Sequence, residues 1–237
     1  MFSPAIEKQR RQLYAQTVAE MGRRISTTAE PAGVIAALNW GMQEIDRAYD
    51  DTPAKIKSSV ACRAGCSHCC SAAVDVQAHE VFFAAEHIQL TFSPEELAAL
   101  IERTAALRAR IMPGPADSRS RPWQPCALLR DDRCSIYASR PEACRVHHTS
   151  DATACAAHAA DPAVDLDRTY IPALRARLFA VMLGMDEALE SAGFDDRAYD
   201  FSSALHEALT NSLCRALWLR HKPAFPDSCL SPQPSAF

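Results

Sequence analysis

A mainly α chain, folded as a single helical domain, is predicted by three observations. Glycine numbers only 7 of 237 residues and aromatics make up 7%, while alanine is abundant; this favours helix over a sandwich that needs turn glycines and β-branched residues. Apolar residues at 48% and charged residues at 23% exclude wholesale disorder, a collagen-like fibre and a coiled-coil rod. Apolar side chains also recur at steps of three and four through several long segments, the spacing that lays them on one helix face.

The first two helices are predicted over 4–25 and 31–50. In the second, Val34, Leu38, Met42, Ile45 and Tyr49 form one stripe, and Pro31 sits at the start, where proline is tolerated. Ala73–Val76 alternates briefly and reads as an extended piece, followed by a helix over 78–90. A further helix over 94–112 is signalled by Ser93 as N-cap, Pro94 at the first position and Glu96 closing a capping box. Four prolines make 113–125 a loop. Ser135-Ile136-Tyr137 reads as a short strand. The last helices are predicted over 170–192, with the stripe Leu174, Leu178, Val181 or Met182, Met185 and Leu189, and over 200–220, with Leu205, Leu209, Leu213, Leu217 and Trp218. The tail 223–237 has four prolines and is expected to be loosely held. The organisation is thus an N-terminal helical segment 1–60, a cysteine-rich region 61–160, a C-terminal helical pair 161–222 and the tail, all within one domain.

With 25 basic and 29 acidic residues the net charge is −4, so there is no global basic field to hold nucleic acid. No stretch reaches the 18 or so apolar residues of a membrane span. The N-terminus lacks the apolar core of a secretory signal. A cytoplasmic location is therefore expected, where thiols stay reduced.

Compartment decides the meaning of the ten cysteines, eight of which lie between positions 62 and 155. In a reducing compartment such clusters read as metal ligands rather than disulfides; five disulfides in a secreted chain is the bland alternative. The first segment is Cys62-Arg-Ala-Gly-Cys66-Ser-His-Cys69-Cys70. The second is Cys126-x7-Cys134-x9-Cys144-x10-Cys155. Cys66-x2-Cys69 has knuckle spacing, which lets a tight turn aim two sulfurs at one ion, and Gly65 relieves the turn. Adjacent side chains such as Cys69 and Cys70 point to opposite sides of an extended chain, or about 100° apart on a helix, and rarely grip the same single ion. Eight cysteines with one adjacent pair therefore fit two four-thiolate sites drawn from both segments, with the division between them open. A loop-built metal centre between helices is expected, taking zinc or iron, mononuclear or as an iron–sulfur cluster. Metal loss is expected to unfold at least residues 62–155. Residues 101–150 hold nine arginines against five acids, and Arg63, Arg140 and Arg145 stand beside cysteines, where they can favour thiolates.

The pattern CRAGCSHCC, then CALLRDDRCSIYASRPEACR, then Cys155, resembles the YkgJ-type cysteine-cluster family, also called CxxCxxCC and described as zinc- or iron-chelating. The resemblance covers roughly 60–160. It rests on the terminal cysteine pair, Cys134-Ser-Ile-Tyr137, Arg140-Pro141 and Cys144-Arg145. It departs at Cys62 and Cys66, which have three residues between them where many members have two. It implies metal binding by Cys62, Cys66, Cys69, Cys70, Cys126, Cys134, Cys144 and Cys155. A similar domain in flagellin lysine-N-methylases makes an iron–sulfur or iron-dependent redox or protein-modification enzyme the alternative function.

Other readings are weaker. Cys62-x3-Cys66-x2-Cys69 is also the spacing of radical S-adenosylmethionine enzymes, but those need a partial α/β barrel and usually carry an aromatic where His68 stands. His68 reads as a donor to sulfur, and His147, His148 and His158 as exposed rather than ligating. His79, His87, His206 and His221 show no partner pattern. Tyr137 and Trp123 read as core, Asp131-Asp132 as a solvated turn, Cys214 as a small buried hydrophobe and Cys229 as a free thiol. No catalytic residue is assigned. Metal ions are the expected partners, together with a protein partner, and neither nucleic acid nor membrane.

Overall fold

The computed structural model describes residues 4–27, 31–110, 124–161 and 163–231. Its architecture is mainly α with only small sheets. The chain divides into two compact units, Met1–His68 with Cys144–Gly193 and Cys69–Ala143 with Phe194–Phe237. No described helix is long and apolar enough to cross a membrane.

In the first unit, α1 (Pro4–Ser26), α2 (Pro31–Asp50) and α8 (Pro172–Ser191) pack on one another. The predicted stripes are their cores: Val34, Leu38, Met42 and Ile45 of α2 and Leu174, Leu178, Val181, Met185 and Leu189 of α8 are all buried. Short helices α3 (Ala54–Lys57), α6 (Glu142–Val146) and α7 (Ala152–Ala160) carry the connections; α6 and α7 lie within the cysteine region and have too few turns to show an apolar period.

Two glycines let these helices approach closely. A Cβ on Gly184 would lie 2.8 Å from Thr17 Cβ and 3.0 Å from the Tyr14 carbonyl oxygen, whereas one on Gly41 would meet only the flexible end of Met185, at 2.5 Å from Cε. Alanine gains about 1 kcal/mol of helix propensity over glycine, while overpacking costs about 1–3 kcal/mol. Gly184→Ala is therefore expected to destabilise by about 1–2 kcal/mol, because backbone must move. Gly41→Ala is expected near neutral, because Met185 can change rotamer. Urea midpoints of the two variants check this ordering.

In the second unit, α4 (Ala78–Thr91) and α5 (Pro94–Arg110) pack on α9 (Phe201–Thr210). The α5 capping box forms as predicted, with Ser93 N–H donating to Glu96 Oε2 at 2.9 Å and Glu96 N–H to Ser93 Oγ at 3.2 Å. Strand β1 (Asp75–Val76) pairs antiparallel with β4 (Tyr199–Asp200), in register Asp75 to Asp200 and Val76 to Tyr199. The sequence predicts one helix over 200–220, but the structure has two, α9 and α10 (Leu213–Trp218). The break falls at Thr210-Asn211-Ser212, residues that favour caps over helix interiors. Asn211 Oδ1 accepts from Leu213 N–H at 3.1 Å. The break shifts the phase, leaving Leu213 59% exposed while Trp218 is fully buried. Trp218 packs with Phe82 and Phe194. Cys214 is buried, as predicted. The predicted loop 113–125 lies mostly outside the described residues, as does Trp123. Of the proline-rich end, Ala224, Phe225 and Cys229 are buried.

Candidate metal centre

Four of the eight clustered cysteines lie in each unit: Cys62, Cys66, Cys144 and Cys155 in the first, Cys69, Cys70, Cys126 and Cys134 in the second. All eight are free thiols.

In the second unit the inner cysteines come together through main-chain bonds. Cys126 N–H donates to Cys70 O at 2.8 Å, and Gln124 N–H to Ser71 O at 3.1 Å. Beyond Cys126 the chain forms a hairpin of β2 (Leu129–Arg130) and β3 (Arg133–Cys134), with Leu129 opposite Cys134. Asp131 and Asp132 make its two-residue turn, at φ 47° and 58°, the left-handed pair that a hairpin turn of this length requires and that aspartate tolerates. The strand predicted at Ser135–Tyr137 thus lies earlier, and Tyr137–Ser139 is a 3-10 turn. Two contacts from α5 hold the hairpin: Arg103 Nε donates to Ala127 O at 2.9 Å, and Arg130 Nη1 to Glu96 Oε1 at 2.8 Å.

The hairpin's amides favour the thiolates: those of Leu128 and Leu129 act against burial at Cys126, and that of Ile136 does so at Cys134, while the Leu129 N–H itself donates to Cys126 O at 2.9 Å. Burial pushes the Cys126 thiol up to about 11 against those amides, with Arg103 also favouring the thiolate. Burial raises Cys134 likewise, opposed by the Ile136 amide and by Arg140. Cys69 and Cys70 sit in a 3-10 turn, His68–Ser71, rather than on an extended chain, and the neighbouring Cys70 thiol raises Cys69 well above the ordinary thiol range.

In the first unit, Ala61 N–H donates to Thr149 O at 2.8 Å. Buried Thr149 Oγ1 lies 3.1 Å from Cys155 Sγ. Cys62 is thereby joined through Ala61 to the strip carrying Cys155. Cys66 ends a turn closed by its N–H to Arg63 O at 3.0 Å, with Gly65 at φ 85° as the spacing predicted. Cys144 is exposed on α6, and Cys155 is buried on α7, whose start is capped by Asp151 Oδ1 accepting from Thr153 and Ala154 N–H.

Among the described residues, no three of the sulfurs lie within 4.8 Å of one another. Four thiolates on one zinc sit about 3.8 Å apart, so gripping a single ion needs side-chain rotation. Amides and guanidinium charge that favour the thiolates nevertheless suit a thiolate-held metal.

Other readings change. Arg145 is buried and paired with Asp46 Oδ2 at 2.5 Å, so its charge is already matched. His68 and Arg63 are exposed. Tyr137 is not core but 66% exposed, with Arg140 stacked 3.9 Å from its ring centroid. His147, His148 and His158 are half-buried rather than exposed: His148 stacks on Tyr49, His147 meets Tyr170 edge-on, and His158 Nδ1 lies 2.6 Å from Val164 O. His206 bonds Thr104 Oγ1 at 3.1 Å. His79, without a visible partner in sequence, has Nε2 at 3.0 Å from Glu142 Oε1, both buried. Glu80 beside it accepts Gln77 N–H and Glu142 N–H at 2.7 Å each. The signal for this network was Gln77-x-x-Glu80, a capping pattern.

His147 gives an acid-sensitivity prediction. Burial, with His148, Arg175 and His158 nearby, lowers it to about 4, and its Nε2 is buried without a hydrogen bond. Between about pH 6.5 and 4 the unfolded chain holds a proton here that the folded chain lacks, so stability falls as pH drops through that window. The loss from this group by pH 5 is on the order of 2 kcal/mol. His147→Phe is expected to narrow the gap between urea midpoints at pH 7 and pH 5 by that amount.

Residues 61–162 match the family model CxxCxxCC, whose description reads "Putative zinc- or iron-chelating domain". The match spans less than half of the chain and likens that stretch to the family. The search of curated proteins and that of solved structures each found no match.

Proposed function

We propose that the protein binds zinc or iron through Cys62, Cys66, Cys69, Cys70, Cys126, Cys134, Cys144 and Cys155, in closed thiolate sites that tie distant segments together. The observation that supports this best is the main-chain bond from Cys126 N–H to Cys70 O, at 2.8 Å, which with the hairpin returning Cys134 to Leu129 brings cysteines of both segments to one patch of backbone. Cysteines drawn together from distant segments suit an ion that cross-links them. Eight thiolates favour saturated coordination over the open position that catalysis uses. Bound metal would supply a cross-link. These residues supply deprotonated sulfur and the amides and arginines that compensate its charge.

The test is the absorption spectrum and metal content of the full chain purified without oxygen. Stoichiometric zinc in a colourless protein, or iron with absorption near ~400 nm from a thiolate-held cluster, supports the proposal, and the second result brings in the iron–sulfur redox or protein-modification reading. A metal-free protein with thiols paired as disulfides overturns it.

A further inference from the structure

Resting on that reading, we infer that the eight cysteines divide into two sets nested in the sequence: Cys69, Cys70, Cys126 and Cys134 hold one site, and Cys62, Cys66, Cys144 and Cys155 hold the other. The knuckle-spaced pair Cys66 and Cys69 is then not a chelate, because its two sulfurs serve different sites.

Two main-chain hydrogen bonds of equal length carry the assignment. Cys126 N–H to Cys70 O, at 2.8 Å, joins the end of the first cysteine segment to the beginning of the second. The hairpin then returns Cys134 to Leu129, three residues past Cys126, so the inner four thiols share one patch of backbone. Ala61 N–H to Thr149 O, also 2.8 Å, joins the beginning of the first segment to the end of the second. Cys144 and Cys155 flank Thr149, and its hydroxyl touches the Cys155 sulfur at 3.1 Å. Each pairing lies wholly within one compact unit.

Local turns support the same split. Cys66 belongs to the turn closed on Arg63, with Gly65 at positive φ. Cys69 belongs to the 3-10 turn His68–Ser71, together with Cys70. The change of turn type thus falls between the two cysteines that the spacing groups together. Charge is also partitioned. Arg103 and Arg140 act on the inner sulfurs, whereas Arg145, beside Cys144, is paired with Asp46.

The test is metal content per chain in full-length variants purified without oxygen, with helical circular dichroism recorded alongside. Cys126→Ser, Cys134→Ser and their double variant are each expected to lose half of the metal, since the second change removes a ligand from a site already lost. Cys66→Ser and Cys69→Ser are each expected to lose half, and together all. Half loss in that last double variant, or complete loss in a single variant that keeps its helical signal, overturns the division. For variants that lose their helical signal, the wild-type protein gives the answer. Metal is withdrawn in steps with a chelator, and released thiols are alkylated and mapped by peptide mass. Cys69, Cys70, Cys126 and Cys134 are expected to become reactive as one group and the other four as another. Co-release of Cys66 with Cys69, or of all eight in one step, overturns it. A wild-type chain that holds no metal overturns the proposed function instead.

Discussion

Stripping metal from the full chain is expected to expose two stretches, about 61–72 and 124–135, while both helical cores stay folded. A structural zinc in a small peptide can supply about 10–16 kcal/mol, against a total stability of about 5–15 kcal/mol for a domain. The segments it would hold have little regular structure. The inner one rests on β2 and β3, two residues each, and an isolated hairpin is marginal in water. Its other supports are the buried Leu128 and Ile136, the Glu96–Arg130 contact, exposed to about 40% on both sides and worth under about 1 kcal/mol, and the Arg103 bond to Ala127 O. The cores are different. Val81, Phe82, Ala85 and Ile88 of α4 are buried, and α4 packs on α9. Unfolding of everything between 62 and 155, the expectation from sequence, is therefore narrowed to the loops. Hydrogen exchange before and after chelation checks this. The Cys126 and Ala61 amides should lose at least a hundredfold protection, a change of about 2.7 kcal/mol or more, while α1, α4 and α8 change little. Unchanged exchange in the loops, or collapse of the helices, would contradict it.

What was legible in the sequence was what repeats locally. The stripes of α2 and α8 have a period that only a helix satisfies, and the cap at Ser93–Glu96 is a contact between near neighbours. The CxxCxxCC segment was legible because its spacing is itself the signature. The grouping of the sulfurs was not, because it depends on Cys70 meeting Cys126 and Ala61 meeting Thr149. Those bonds span 56 and 88 residues, and no local pattern encodes them. The break at Asn211 was visible in residue type but was overridden by a leucine period that runs straight across it. The burial of Arg145 and His79 was invisible for another reason: charged and titratable residues read as surface unless a partner is known.

Buried His79 and its partner Glu142 lead to the second large effect. Glu142→Ala is expected to destabilise the protein by about 3–5 kcal/mol, the usual result of removing one member of a buried polar pair. His79 and Glu142 are each no more than 2% exposed. Truncation would leave the imidazole Nε2 without the carboxylate oxygen now 3.0 Å away. The Glu142 amide would keep its bond to Glu80 Oε2, so the start of α6 stays attached to α4 and the loss is chiefly electrostatic. Glu142→Gln, which can still accept from the imidazole, should recover more than half of the stability. His79→Leu with Glu142→Leu should cost less than the sum of the singles by about 1–3 kcal/mol, because neither group is then left unpaired. Guanidinium unfolding of the four variants measures the coupling, and additive costs would show that the two side chains act separately. Because α6 also carries Cys144, the alkylation rate of that thiol in the Glu142→Ala variant is a second readout. Faster labelling at unchanged helical content would show that the buried pair positions a cysteine at the candidate site as well as stabilising the fold.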